Sequence, residues 1–140
     1  MKRMPHSLII LALMVMCIAP ESRAFVGGAH DSRSYIPKAR LLEPIYDTVD
    51  LNGKKELVFK WSSHESAPDF RQYYDFRLYK GYDMYESTLI FKEKVSPEQY
   101  ELALPSDNFE NGQIYTWCLR QVYTGIRKSE RNFNSFKIIK

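Results

Sequence analysis

The chain repeatedly places large apolar residues at every second position, with polar or charged residues between them. A period of two is typical of a β-strand that buries one face and exposes the other. The segments that show it most clearly are Leu57/Phe59/Trp61, Tyr74/Phe76/Leu78, Tyr100/Leu102/Leu104 and Tyr115/Trp117/Leu119. The pattern predicts an all-β fold.

Turn signals separate these segments at regular intervals. Asn52-Gly53 tolerates positive φ at both positions, and Pro44 restricts the segment before it to a sheet edge. We interpret residues 47–51 as a continuation of that edge strand, and residues 136–139 as the last strand. Because no segment has a helical period, the chain predicts about seven strands in a β-sandwich and excludes parallel strand–helix–strand units.

One turn carries a more specific signal. Phe109 and Gly112 precede Tyr115, which opens the strand that contains Trp117 and Leu119. A tyrosine at a strand entry, after a turn that begins with a buried apolar residue, is the sequence form of a tyrosine corner. The segment therefore predicts a Greek-key sandwich, without indicating any reaction.

Four sequence features have the same order and spacing as in one known protein family. They are Trp61 in the second strand, Tyr74-x-Phe76-x-Leu78 in the third, the turn Phe109-x-x-Gly112-x-x-Tyr115, and Gly125 followed by Ser129 before the final strand. Over residues 41–139 the chain thus resembles a fibronectin type III domain, an immunoglobulin-like Greek-key sandwich. The resemblance implies a non-catalytic module for adhesion, recognition or spacing.

The departures from that family are a long first hairpin at residues 47–55 and Asn111 in place of the proline of the turn. They leave open a more distant immunoglobulin-like sandwich, although the Cys…Trp…Cys pattern of true immunoglobulin domains is absent. The residues that the resemblance assigns to the core are Trp61, Tyr74, Phe76, Leu78, Leu102, Phe109, Tyr115, Trp117 and Leu119.

The first residues have the form of a secretory signal. Lys2 and Arg3 precede an uncharged apolar run at residues 7–19, and Ser22-Arg23-Ala24 supplies small residues for cleavage. The run is shorter than the about 20 residues that span a bilayer, so we expect no stable membrane span after cleavage. The predicted organisation is a signal peptide at 1–24, a flexible extension at 25–38 and one domain at 39–140, secreted or periplasmic.

Charge and cysteine content narrow the function classes. After Ala24 the chain keeps 17 of the 20 basic and 16 of the 17 acidic residues, a net charge of about +1. No basic stripe is visible along the sequence, so we expect no nucleic-acid partner. Cys118 is the single cysteine that remains, which excludes an intramolecular disulfide.

No pattern of catalytic or metal-binding residues is recognisable, and we expect neither an enzyme nor a cofactor. His64 lies beside Ser62, Ser63 and Glu65, but neighbours in sequence do not provide the converging geometry of a triad. His30 falls in the predicted extension. Asp47, Asp50 and Asn52 lack the spacing of a calcium loop, and turn formation explains them more simply.

Cys118 is predicted to point away from the core, between Thr116 and Arg120. An exposed thiol next to Arg120 would be acidic and reactive, or would pair with another chain. The alternative is a small residue half-covered by outward side chains such as Arg77 or Tyr79.

Tyrosines are concentrated between residues 73 and 85, and they suggest a binding surface. Tyrosines in loops supply rigid contact area with a polar group. The candidate partner-binding residues are Tyr79, Tyr82 and Tyr85, with Arg77 and Arg120 beside them. The alternative explanation is aromatic cover of the outer sheet face.

These observations favour an exported, non-catalytic module that binds a protein or a surface polymer, or that spaces other components. The alternative is a structural subunit that assembles by strand addition at an open sheet edge, with residues 25–38 as the donor arm.

Overall fold

The structure, a computed structural model, describes residues 35–65, 67–68 and 70–140. The predicted signal peptide, most of the predicted extension and His30 lie outside the described residues. The strands are β1 (Arg40–Glu43), β2 (Thr48–Asp50), β3 (Glu56–Ser62), β4 (Arg71–Lys80), β5 (Leu89–Val95), β6 (Glu101–Pro105), β7 (Ile114–Tyr123) and β8 (Asn132–Ile139). No helix in the described part is long and apolar enough to cross a membrane.

The strands form two sheets that make a sandwich. One has three strands in the order β1-β3-β6, and the other has five in the order β2-β8-β7-β4-β5. All neighbours are antiparallel except β2 and β8, which run parallel. The predicted all-β, immunoglobulin-like Greek-key sandwich is confirmed.

The first strand differs from the prediction. Residues 47–51 do not continue the first edge strand, because β1 pairs with β3 whereas β2 pairs with β8 in the other sheet. The described chain therefore forms eight strands instead of about seven. The turn after β2 is as predicted: Gly53 has a φ of 68°, and the Asp50 carboxylate accepts hydrogen bonds from the backbone and side-chain nitrogens of Asn52.

The core lies between the sheets, and the predicted inward residues fill it. Trp61, Phe76 and Trp117 are at most 1% exposed, and Leu102 packs against them from a partly buried position. Phe59 is central to this cluster, with its ring centroid 5.1 Å from that of Phe76 and 5.2 Å from that of Trp117. The alternating pattern therefore assigned the inner face of both sheets correctly.

The tyrosine corner is present. The Tyr115 hydroxyl accepts a hydrogen bond of 2.9 Å from the backbone N–H of Glu110. The Tyr115 ring packs edge-on against Phe109 at 5.1 Å, which fixes the turn that carries Gly112 at a φ of 76°. Both contacts join Tyr115, near the start of β7, to the connection between β6 and β7.

Tyr115→Phe is expected to lower the free energy of unfolding by about 1 kcal/mol, because it removes this hydrogen bond and keeps the buried ring. Urea unfolding measures the change. Tyr46→Phe is the matched control, since Tyr46 is 69% exposed. Equal stability of the two variants would contradict a stabilising role for the Tyr115 hydroxyl.

The described part of the predicted extension, residues 35–38, packs against the domain. Ile36 is 6% exposed, and the Pro37 carbonyl accepts a hydrogen bond of 2.8 Å from the buried side chain of Gln121. Ordered packing therefore starts by Ile36, a few residues before the predicted boundary at 39. The flexibility of residues 25–34 stays a prediction.

Candidate functional site

The outer face of the five-stranded sheet, which points away from the core, carries a cluster of charges. Asp75 of β4 lies at its centre with a side chain only 7% exposed. Its carboxylate is 3.2 Å from Nε of Arg77, 3.2 Å from Nη2 of Arg120 and 2.8 Å from Nη2 of Arg131. We call Arg77, Arg120 and Arg131 the arginine cluster.

The strand register explains this convergence. Asp75 pairs with Arg120 across β4 and β7, so their side chains share one face. Arg77 follows two residues later on that face, and Arg131 immediately precedes β8, which pairs with β7. Sequence reasoning selected Arg77 and Arg120 but missed Asp75 and Arg131, because no local pattern shows that Arg131 reaches β4.

The arginines determine the charge state of Asp75. Burial on its own would raise the pKa of this carboxyl, but the hydrogen bonds and charges of Arg131 and Arg77 outweigh it and hold the pKa below its ordinary value. Asp75 is therefore an ionised anchor for three guanidinium groups.

Cys118 faces outward, as its place in the alternation predicts, and of the two alternatives it is the covered residue and not the exposed thiol. Its side chain is fully buried, and Arg131 Nη1 lies 3.6 Å from its sulfur. Burial raises the pKa of the thiol, with the nearby Arg131 opposing this effect only in part. The thiol is consequently neither acidic nor accessible, and the alternative of a small covered residue describes it better.

Tyr79 is also buried, at 3% exposure, so its predicted place on an exposed contact surface is wrong. It lies between Leu89 of β5 and Thr116 of β7 in the sheet. Tyr79 also interacts with Arg77. Burial on its own would lower the pKa of Arg77, but the interactions with Tyr79 and Asp75 outweigh it, and the pKa is raised. Tyr79 thus packs on the outer face, which was the alternative explanation for the tyrosine-rich segment.

Tyr82 and Tyr85, in contrast, are exposed by 69% and 66%. They belong to the β4–β5 loop, residues 81–88, which also exposes Met84, and Ile90 follows at 46% exposure. Tyr82 lines a groove of about 420 Å³ together with polar residues that include Asp47 and Ser135.

The β4–β5 loop is held by its own hydrogen bonds. Thr88 Oγ1 donates to the Asp83 carbonyl at 2.7 Å and accepts from the Tyr85 N–H at 3.2 Å. At the start of the loop, Gly81 adopts a φ of 90°, and its carbonyl accepts a hydrogen bond of 2.7 Å from the buried hydroxyl of Thr116. The exposed rings therefore project from an ordered support.

One contact joins the β4–β5 loop to the arginine cluster. Arg77 Nη1 is 3.5 Å from a carboxylate oxygen of Glu86, whose side chain is 82% exposed. Through Glu86 the β4–β5 loop, which carries Tyr82 and Tyr85, therefore adjoins Arg77, and Asp75 links Arg77 to Arg120. Tyr79 is buried in the sheet.

Within residues 35–65, 67–68 and 70–140, no three His, Cys, Asp or Glu side chains come together as metal ligands would. His64 lines a groove of about 460 Å³ with residues of the same loop and with Tyr100.

Neither a protein-family model nor a curated protein matches the chain. Among solved structures it is similar to a β-1,2-glucanase from Parabacteroides distasonis, with a TM-score of 0.46 and 14% identity over 76% of this chain. It spans only 13% of the length of that glucanase. It is also similar to the third fibronectin III domain of the human KIAA0343 protein, with a TM-score of 0.45 and 16% identity over 76% of this chain and 82% of that domain. Likenesses at these identities concern the fold alone.

Proposed function

We propose that this protein is an exported, non-catalytic binding module that contacts a partner protein through its β4–β5 loop. The observation that carries the proposal is the exposure of Tyr82 and Tyr85 on a loop whose backbone is already hydrogen-bonded in place. Aromatic side chains on a rigid support lose little conformational entropy on binding, and they are common anchors of protein interfaces.

The neighbouring side chains suit such an interface. Met84 and Ile90 are also exposed, so four large exposed apolar side chains lie within residues 82–90 of the chain. Exposed apolar patches of this kind, with charged residues at their edge, are typical of interaction sites. Arg77 borders the patch through its contact with Glu86.

The chemistry of the site supports binding more than catalysis. Asp75 is saturated by three arginines and has a lowered pKa, so it is a poor proton acceptor. Cys118 is covered and has a raised pKa, so it is a poor nucleophile.

The edges of the five-stranded sheet, which carries the β4–β5 loop, favour a loop-mediated contact over assembly by strand addition there. The edge strand β5 exposes Lys92, Glu93 and Lys94, and charges of this kind oppose pairing with another strand. The edge strand β2 has only three residues. Most of the proposed donor arm, residues 25–38, lies outside the described residues.

Replacing both Tyr82 and Tyr85 by alanine is expected to abolish partner capture without unfolding the protein. The protein and the double variant serve as bait in an affinity capture from the native extracellular or periplasmic fraction. The matched control is Tyr35→Ala/Phe70→Ala, because Tyr35 and Phe70 are 72% and 90% exposed and Phe70 precedes β4 whereas Tyr82 follows its far end.

Circular dichroism confirms that each bait is folded. The proposal predicts a partner that is recovered by the parent and by the control pair, and lost with Tyr82→Ala/Tyr85→Ala. Loss with the control pair alone would move the site to the opposite end of the sandwich. Recovery by all three baits would exclude the β4–β5 loop as the contact surface.

A further inference from the structure

The outer face of the five-stranded sheet is more basic than the domain as a whole. Lys92 pairs with Arg77 and Lys94 pairs with Asp75 across β4 and β5, so both lysines share the face of the arginine cluster. Around β4, β5 and β7 this face therefore holds five basic side chains against the carboxylates of Asp75 and Glu86. Because the chain after Ala24 has a net charge of only about +1, the remaining surface is net acidic.

The arginine cluster is not neutralised by its central carboxylate. Three guanidinium groups share Asp75, and in the described part of the chain Nε of Arg120 is buried without a hydrogen-bond partner. Arginines are rigid, planar donors that suit carboxylates. Their side chains remain 16–24% exposed, so the cluster can be reached from solvent.

Glu86 shows how a further carboxylate approaches the cluster. It reaches Arg77 at 3.5 Å from an otherwise exposed position at the end of the β4–β5 loop. An acidic side chain of a partner bound at the β4–β5 loop, which carries Glu86, would reach Arg77 in the same way and would replace Glu86 at little cost, since exposed ion pairs contribute little.

Aromatic side chains flank the basic groups and favour a protein as the source of the carboxylates. Phe133 pairs with Cys118 in the sheet and is 56% exposed on this face. Tyr73 lies next to Lys94, whose Nζ is 4.9 Å from the centre of the ring. Arginine together with aromatic residues is the composition of protein interface centres, whereas a polyanion requires charge alone.

We propose that the outer face binds an acidic segment of the partner protein, with the arginine cluster as the receptor for its carboxylates. The segment combines glutamate or aspartate side chains with apolar ones, and the carboxylates take the place of Glu86 beside Arg77. This inference rests on the proposed function, because it specifies the partner that the β4–β5 loop contacts.

The test uses a fluorescent poly-glutamate peptide containing tyrosines as the probe, with fluorescence anisotropy at constant low salt. Arg120→Gln/Arg131→Gln is expected to weaken binding about tenfold or more, since it removes two charge-assisted contacts. Lys54→Gln/Lys55→Gln is the matched control, because it removes the same charge from an exposed turn outside this face. Glu86→Gln is expected to tighten binding about two- to threefold by removing the competing carboxylate.

A second variant, Arg120→Lys/Arg131→Lys, keeps both positive charges and replaces the glutamine pair if that pair does not fold. It is expected to weaken binding less than the glutamine pair. Equal weakening by the lysine-turn control, no effect of Glu86→Gln, or no binding of the peptide would overturn the proposal. Preferential binding of a heparin fragment, a single-stranded DNA or anionic vesicles would assign the face to another class of partner. If the peptide does not bind but partner capture still depends on Tyr82 and Tyr85, this inference is wrong and the proposed function stands.

Discussion

Trp61→Ala is expected to lower the free energy of unfolding by about 3–5 kcal/mol, the usual range for truncating a buried aromatic side chain. The indole is 1% exposed and packs edge-on against Tyr74, with ring centroids 5.5 Å apart. Because domains of this size are stable by only about 5–15 kcal/mol, the variant loses a large part of its stability. Urea unfolding followed by circular dichroism measures the loss.

The two tryptophans provide a control that separates packing from hydrogen bonding. Trp117 Nε1 donates a hydrogen bond of 2.9 Å to the Pro44 carbonyl, whereas Trp61 Nε1 is buried without a partner among the described residues. Trp117→Phe should therefore cost about 1 kcal/mol more than Trp61→Phe. A loss below about 1 kcal/mol for Trp61→Ala would contradict its place in the core.

Asp75→Asn is expected to destabilise the domain by about 3 kcal/mol. Removing one partner of a buried ion pair leaves the other charges without compensation, which typically costs about 3–5 kcal/mol. We expect the lower end of that range, because the arginine side chains remain 16–24% exposed and are partly hydrated. Equilibrium unfolding in urea at neutral pH gives the difference.

The pH dependence of this difference identifies its cause. The pKa of Asp75 is lower in the folded protein than the value of about 3.9 in the unfolded chain. Its contribution is thus complete above pH about 4 and is lost as the pH falls through the folded-state pKa. The stability difference between the parent and Asp75→Asn should shrink in this acid range. A difference that stays constant from neutral to acid pH would show that the charge of Asp75 is not its source.

The inner faces of both sheets were predictable because they depend on local alternation. The period of two holds at Trp61, Phe76, Trp117 and Leu119, and all four side chains are buried. Successive side chains of a strand point to opposite faces, so the alternation identifies the face that is buried. Tyr115 was predictable for a related reason, since its hydrogen bond reaches only five residues back along the chain.

The outer face was predicted less well because long side chains cover it from elsewhere in the chain. Alternation places Asp75, Tyr79 and Cys118 away from the core but does not show that they are buried there. Arginine side chains lay their apolar stems over the sheet, and Arg131 comes from a segment far from β4 in sequence. Of the three tyrosines predicted to contact a partner, Tyr82 and Tyr85 are therefore exposed, whereas Tyr79 is buried.

The pairing of β2 with β8 has a consequence for the order of folding. Val49 lies opposite Ile138, so these two strands meet only when the chain has closed a loop that contains almost the whole domain. Closing such a loop loses conformational entropy before any contact offsets it. During synthesis β2 leaves the ribosome early and has no partner until the C-terminal residues follow. Nascent chains that stop before β8 therefore leave the β7 edge that β8 covers unpaired, and an unpaired strand edge is prone to aggregation.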